Sequence, residues 1–459
     1  MPSLRDFVNQ LEKDGQVLRI TKPASTRFEI PAALKEVDGG PVVLFEKVKE
    51  SRIPVVGNVC GTRSRFLKSL DVSASEFYMV LLNAMNPPAK ARVVKDGPIL
   101  EVEEEPDLTK LPILTHYERD AGPYITSSVV SARDPSGEIE NVSVHRFLVV
   151  DRRRLTVRIV PRHLLRLFNM AKEKGQPLEV AVAIGTHPAV TLAASSSPPF
   201  GVSEFDVAAS LLKGKLDVME CPHVNARAPA DAEIVLECKI LTDATVKEGP
   251  FVDLLGTHDA VRDQPIVEVV KVLRRRQPTY QALLGGSSEH RILMGAGREA
   301  QVWQAAMQVT PTVKAVNLSM GGCGWLHAII SIDKQTEGDG KNVLLAALSA
   351  HPSLKHAIVV DSDINVYDLE DVEWTVATRF RADRGLVVIS NVRGSSLDPM
   401  CEPHTGTTAK MGIDATKPLD RPNEIFTKGK IPAQHETAER ILKDLKLPNS
   451  GSWKRSACT

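Results

Sequence analysis

The six cysteines of the 459-residue chain, Cys60, Cys221, Cys238, Cys323, Cys401 and Cys458, form no CxxC pair. That argues against both a disulfide framework and a thiolate zinc site, and for a reducing compartment. Net charge is missing as well: 57 Lys plus Arg stand against 57 Asp plus Glu, so no long-range field draws nucleic acid or anionic lipid. Aromatic residues make up only 5%, so a pocket need not be built for large polyaromatic compounds. No stretch reaches the roughly 20 apolar residues that span a bilayer, and the N-terminus MPSLRDFVNQLEKDG is a charged amphipathic helix pattern with no uncharged signal core. The chain therefore reads as cytoplasmic, with no nucleic-acid or membrane partner. The glycine-rich pieces GGSSEH and SMGGCGW match neither GxGxxG nor a Walker loop, which leaves a nucleotide-binding Rossmann fold without support.

Single cores stop growing at roughly 250 to 300 residues, so a chain of this length predicts several domains. Residues 1–115 alternate helical patterns with short apolar runs such as PVVLFEKV and RIPVVGNVCG, the texture of a small α/β domain. The segment EEEPDLTKLPILTHYERDAGPYI has no clean period and reads as a connector. Residues 116–315 hold many β-rich runs with two helical patterns inserted, which predicts a barrel. From residue 316 to 459 strand and helix alternate (WLHAIISI, GDGKNVLLAALSAH, KHAIVVDSDINV, LEDVEWTVATRF, GLVVIS), a third α/β region ending in an amphipathic helix. The fold class is α+β.

Several polar residues stand where a buried run is expected. ENVSVHRFLVVD sets Asn141 and Arg146 in an otherwise apolar strand, where buried polar groups need partners. His163 opens RHLLRLFNMAKEKG at the positive end of the helix dipole, which disfavours imidazolium and leaves the metal-binding neutral form. Glu204 starts a helix behind Ser203, where it suits either the dipole or a ligand role. Ser195, Ser196 and Ser197 suit an ordinary turn, a phosphate or a monovalent cation alike. KEGPFVDLLG places Glu248 and Asp253 on either side of a Gly-Pro turn, so that both carboxylates can reach one pocket. Two acids near one arginine can keep one ionised while the other holds a proton.

Taken in order, NxSxxR (Asn141 to Arg146), the helix-opening His163, SSxP…GVSE (Ser195 to Glu204) and EGPFxD (Glu248 to Asp253) resemble the UbiD family of prenylated-FMN-dependent decarboxylases. SEHRILMGAGREA, LSAHPSLKHAIVVDSDINVYD with WTVATRF, and KMGIDAT extend the resemblance over nearly the whole chain. It implies that the central domain is a split β-barrel binding the flavin, and that the C-terminal domain mediates oligomerisation as a homodimer or dimer-based hexamer. It also implies a flavin prenyltransferase as cofactor supplier. Asn141, His163 and Glu204 would hold Mn2+ or Mg2+ against the flavin phosphate, a donor set suited to a hard or borderline cation. Val144, His145, Arg146, Arg162, Ser195, Ser196 and Pro198 would line the cofactor. The serine segment would add K+, with Arg379 in the same neighbourhood.

By the same resemblance Arg146 pairs with Glu248 beside the flavin and holds the substrate carboxylate, and Asp253 donates the proton. The family reaction is a reversible, non-oxidative loss of carbon dioxide through a covalent substrate–flavin adduct. Asp253 departs from the glutamate that the cinnamate and phenolic branches carry, so the acid is one methylene shorter. His290 and Arg298 resemble the pair facing the far end of the substrate in furan-dicarboxylate decarboxylases, and Asn317 a ring-N–H partner in pyrrole-carboxylate decarboxylases. Pyrrole-2-carboxylate is the substrate these positions predict first, ahead of furan-carboxylate, indole-carboxylate and hydroxybenzoate. An FMN-dependent oxidoreductase is the reading from another class.

Overall fold

The computed structural model describes residues 2–429, 431, 432 and 441, so the predicted terminal amphipathic helix lies almost wholly outside the described residues. The chain divides into two compact units, Met1–Gln301 with Met320–Leu326 and Ser395–Gly406, and Val302–Ser319 with His327–Gly394 and Thr407–Thr459.

In the first unit, the opening helix Leu4–Lys13 forms where the charged amphipathic pattern predicts it. Ser3 and Asp6 close a capping box, and Leu4, Phe7 and Leu11 are buried. Four short strands, Val17–Ile20, Val42–Phe45, Val55–Gly57 and Tyr280–Gln281, make a small sheet in that order. The centre is a closed antiparallel barrel of six strands. Its order is Ile234–Glu248, Leu178–Ile184, Tyr124–Arg133, Glu140–Val149, Arg154–Val157 and Arg262–Arg274, and the last strand pairs with the first. Closure leaves these strands no free edge. Val130, Phe147, Leu155, Val180, Val182, Leu236 and Val267 fill one apolar cluster with Leu164, Leu167 and Ala171 of the helix His163–Glu173. Each such valine, leucine or phenylalanine contributes on the order of 1.5–3 kcal/mol by leaving water.

Three helices, not two, are inserted between barrel strands: His163–Glu173, Pro188–Ser196 and Glu204–Leu211. The additional one was hidden by its serine-rich end. His187 caps it through Nδ1, which accepts from the Ala189 N–H at 3.2 Å, and Pro188 occupies the first turn, where its missing N–H costs nothing.

The second unit is a five-stranded sheet in the order Val313–Leu318, His327–Ile332, His356–Asp361, Thr407–Asp414, Leu386–Arg393. The parallel pair His327–Ile332 and His356–Asp361 is joined through the helix Asp339–Ala350, the βαβ arrangement read from the sequence. Ile329, Val360, Ile364, Val366 and Val372 form its core. Among the described residues no helix is long and apolar enough to cross a membrane.

Candidate active site

Side chains alternate along the barrel strand Glu140–Val149, which puts Asn141, Ser143 and His145 on one face and Arg146 on the other. Two polar clusters result.

On one side Arg146 is buried among three carboxylates. Its Nε donates to Glu248 Oε1 at 2.9 Å and its Nη2 to Glu248 Oε2 at 3.0 Å, a bidentate pair. Nη1 donates to Asp253 Oδ2, and Nη2 also reaches Asp259 Oδ2 at 3.0 Å. The guanidinium lies 4.7 Å from the centre of the Phe251 ring. Burial works against its charge, but the hydrogen bond of Glu248 and the charges of Asp253, Glu248 and Asp259 hold its proton more tightly than in water. Glu248 is fully buried, whereas the Asp253 side chain remains 21% exposed. Asp253 is therefore the acid of this pair with access to a ligand.

The turn carrying both acids is pinned by Asp120, Ala121 and Tyr124, at the end of the connector segment. Gly249 takes φ +96°, and a Cβ there would come within 3.2 Å of the Ala260 carbonyl, so only glycine fits. The Gly249 N–H donates to the Tyr124 hydroxyl at 3.1 Å, and that hydroxyl donates to Glu248 Oε1 at 3.2 Å. The Ala121 N–H donates to the Pro250 carbonyl at 3.0 Å, and the Val252 N–H to Asp120 Oδ1 at 3.2 Å. The backbone of 285 passes so close that a Cβ on Gly285 would sit 2.2 Å from the Val252 carbonyl.

On the other side Asn141 Nδ2 donates to Glu204 Oε1 at 2.9 Å, and the Val142 N–H to Glu204 Oε2 at 2.6 Å. Glu204 is buried and, among the described residues, no Lys or Arg pairs with it. Burial raises its carboxyl to about 8, against the pull of its hydrogen bonds. A buried carboxylate bonded to the Asn141 side-chain amide, without a compensating cation, is a fitting place for a hard metal ion. His163 is the first residue of its helix, edge-on to Phe200 at 5.3 Å, and desolvation with the charges of Arg162 and Arg166 disfavours its protonation. Among the described residues no three His, Cys, Asp or Glu side chains are already gathered as a metal cage. Ser143 Oγ bridges Asn141 Oδ1 at 3.2 Å and His145 Nε2 at 2.9 Å, while His145 Nδ1 faces the Arg158 carbonyl at 3.1 Å. Desolvation lowers His145 to about 4. Val144 sits between them, opposite Val129.

The predicted serine loop is instead the last turn of the helix Pro188–Ser196, with Ser197 left-handed at its C-cap and Pro198 buried behind it. Ser195 Oγ and Ser196 Oγ bond back to the carbonyls of Leu192 and Ala193 at 2.9 and 2.7 Å. Any cation here would meet backbone carbonyls at the negative end of a helix dipole, not a ring of hydroxyls. Arg162 Nη1 reaches Ser197 Oγ at 3.3 Å, and Arg298 is linked to the same turn through Gln301, which accepts from Arg298 Nη1 at 2.6 Å and donates to the Ser196 carbonyl at 3.3 Å. Arg298 has no acidic partner among the described residues; burial and the charge of Arg162 lower it to about 10. His290 lies on the same helix, Ser288–Val309, about two turns before Arg298, and close enough to Asp253 and Arg146 to feel both charges. Its Nδ1 accepts from the Gly286 N–H at 3.2 Å, so in the neutral ring Nε2 carries the proton.

Two sequence assignments fare differently. Asn317 belongs to the second unit, and its amide donates to the Val366 carbonyl at 2.7 Å, so that donor serves the backbone. Arg379 belongs to the same second unit, where Asp361 and Asp363 bind its guanidinium at 2.7 and 2.8 Å. Tyr124 and Asp259 escaped the sequence reading, because a tyrosine opening a strand and an aspartate in a polar loop carry no spacing signal. The only hint was the density of charge in THDAVRD, between two barrel strands.

Residues 8–85, 91–288 and 291–415 match, in turn, the N-terminal, Rift-related and C-terminal domains of the 3-octaprenyl-4-hydroxybenzoate carboxy-lyase (UbiD) family. The chain is 44% identical to the anhydromevalonate phosphate decarboxylase of Methanothermobacter thermautotrophicus, over 91% of this chain and 97% of that one. It is 42% identical to that of Methanosarcina mazei, over 94% and 99%. Among solved structures, the UbiD-class enzyme HmfF from Pelotomaculum thermopropionicum in complex with FMN is 42% identical and superimposes with a TM-score of 0.92 over 95% of this chain and 98% of that one. An evolved dimeric form of HmfF in complex with prenylated FMN gives 38% and 0.88, with the same coverage. The chain belongs to the UbiD family of prenylated-FMN carboxy-lyases.

Proposed function

We propose that this enzyme decarboxylates a small unsaturated acid carrying a second anionic group at its far end, of the anhydromevalonate phosphate class. The observation that carries this reading is Arg298, a half-buried guanidinium without an acidic partner on the same helix as His290, which itself neighbours the Arg146 acids. Eight residues of helix separate the two by about 12 Å along the axis, so one wall offers a site at the acids and a cation further on. The archaeal relatives at 44% and 42% identity support the same class. With the Asn317 amide given to the Val366 carbonyl, pyrrole-2-carboxylate has no comparable support.

In this reading the substrate carboxylate is drawn to Arg146. The three carboxylates already engage all three nitrogens of that guanidinium, and Asp253, held through Nη1 alone and partly exposed, is the one that yields. Displaced from the cation, Asp253 is stabilised by taking a proton, which it then delivers to the carbon left by carbon dioxide. Glu248 stays paired and keeps the guanidinium from turning. Prenylated FMN supplies, when bound, the electron sink for the pair released on carbon–carbon cleavage. Asn141, Glu204 and His163 would hold Mn2+ or Mg2+ at its phosphate, and the carbonyls ending the serine helix would hold K+.

The test is carbon dioxide release by protein coexpressed with a flavin prenyltransferase, offered anhydromevalonate phosphate, its dephosphorylated acid, pyrrole-2-carboxylate and furan-carboxylate. Turnover of the phosphorylated acid, at least tenfold preferred over the bare acid, is expected, and Arg298→Leu should raise its KM about tenfold with flavin content intact. Turnover of pyrrole-2-carboxylate in its place would overturn the substrate. Loss of flavin in Arg298→Leu would move that arginine to the cofactor.

A further inference from the structure

Asp259 is the most heavily hydrogen-bonded of the three carboxylates around Arg146. Its Oδ2 accepts from Arg146 Nη2 at 3.0 Å and pairs with Arg158 Nε at 3.1 Å, and its Oδ1 accepts from Arg262 Nη1 at 2.7 Å and the Ala260 N–H at 2.9 Å. Four donors saturate it. Arg158 contacts it from the chain just after the strand Arg154–Val157, and Arg262 from the start of Arg262–Arg274. Together with Glu248 and Asp253 on Arg146, three arginines face three carboxylates in one connected network.

We propose that Asp259 is a positioning residue that makes this network neutral before substrate arrives, so that binding a substrate carboxylate at Arg146 brings in one proton. The inference rests on the reading of Arg146 as the carboxylate site. A further negative charge beside Arg146 leaves the buried cluster one negative in excess, and low-dielectric surroundings make that expensive unless an acid is neutralised. The candidates are unequal. Asp259 has four donors, and Arg158, Arg262 and Arg146 hold it below the usual carboxylate range in spite of burial. Glu248 has both oxygens on Arg146 and a third donor in Tyr124. His290, the other titratable group facing Asp253, has Nδ1 blocked by the Gly286 N–H. The proton therefore goes to Asp253, the position from which it is later delivered. Asp259 thus fixes the charge that obliges the acid to load.

Replacing Asp259 by Asn keeps its shape and removes its charge. The network then begins one positive, takes a carboxylate without a proton, and holds it more firmly, while Asp253 stays ionised and cannot donate. A fall in KM of about fivefold with a fall in kcat of about 10- to 100-fold is expected, a split that mere loosening of the fold does not produce; Asp259→Glu should restore both.

The direct measurement is proton uptake on binding, by calorimetry of the flavin-loaded enzyme at pH 8 in buffers of different ionisation enthalpy. The probes are acetate and the saturated analogue 5-phospho-3-methylpentanoate. Close to one proton per site is expected in the parent and close to none in Asp259→Asn. Uptake with acetate and no binding of the phospho acid would sustain the network and sink the substrate class. Binding of either probe by the parent without uptake, or binding of neither, would overturn the proposal whether or not Asp259→Asn folds.

Discussion

Tyr124→Phe tests the scaffold beneath the acids at a single oxygen atom. The ring stays, with its 4.4 Å tilted contact to Phe251, so packing is conserved. The hydroxyl is lost, and with it the acceptor of the Gly249 N–H and a donor to Glu248. A buried donor left without a partner costs about 1–3 kcal/mol, and the second hydrogen bond adds about 1 kcal/mol. The local cost is therefore about 2–4 kcal/mol, confined to the turn between Glu248 and Asp253. Because the chain has two compact units, global unfolding is a poor probe of one turn, whereas amide exchange reads local opening directly. Peptides covering residues 247–255 should exchange about 30- to 1000-fold faster in Tyr124→Phe, and kcat should fall as Glu248 loosens.

Tyr280 supplies the control. It is equally buried, but its hydroxyl has no hydrogen-bond partner in the structure. Tyr280→Phe removes an unsatisfied polar group, so exchange around it should be unchanged or slower. If Tyr124→Phe left exchange at 247–255 within twofold of the parent, the hydroxyl bridge would not be what holds the turn.

Three other outcomes follow from the same geometry. Glu248→Gln should keep its flavin yet lose turnover by about 100-fold or more, since an amide cannot balance the Arg146 charge; parental carbon dioxide release would remove Glu248 from the chemistry. Glu204→Gln keeps one acceptor oxygen for the Val142 N–H but loses the acceptor of the Asn141 amide and cannot neutralise a cation, so flavin absorbance and bound manganese should fall together, as in His163→Ala; full loading in both would dispose of the metal bridge. His116 is buried with neither ring nitrogen bonded, and desolvation lowers it to about 3. It therefore stays neutral in the fold while the unfolded chain protonates near 6.5. Its contribution is complete above pH 6.5 and shrinks by about 1.4 kcal/mol per unit as pH falls from there toward 3. His116→Leu should show a denaturation free energy with about one proton less of pH dependence between pH 5.5 and 4, and an unchanged slope would refute the assignment.

What the sequence disclosed, and what it withheld, divides along a physical line. Periodicity is a local property, and it marked the opening helix, the barrel strands and the βαβ unit, because each of these elements buries one regular face. Residue identity marked Asn141, Arg146, Glu204, Glu248 and Asp253, since charge inside an apolar run demands a partner. It withheld the partners themselves. Nothing in GPYI announces that the Tyr124 hydroxyl closes on an amide 125 residues later, and nothing in THDAVRD distinguishes Asp259 from a solvated loop acid. The serine helix was lost for a related reason: its last turn is composed of residues that favour turns, and only the capping His187 and Pro188, eight residues upstream, give it away. The residues hardest to read are thus those that act on others, such as Tyr124 on Glu248 and Asp259 on Arg146. A family motif names the groups that meet the substrate, whereas their charge state and aim are set by neighbours brought in by barrel closure, so variation in the acid chosen is to be sought in that second set.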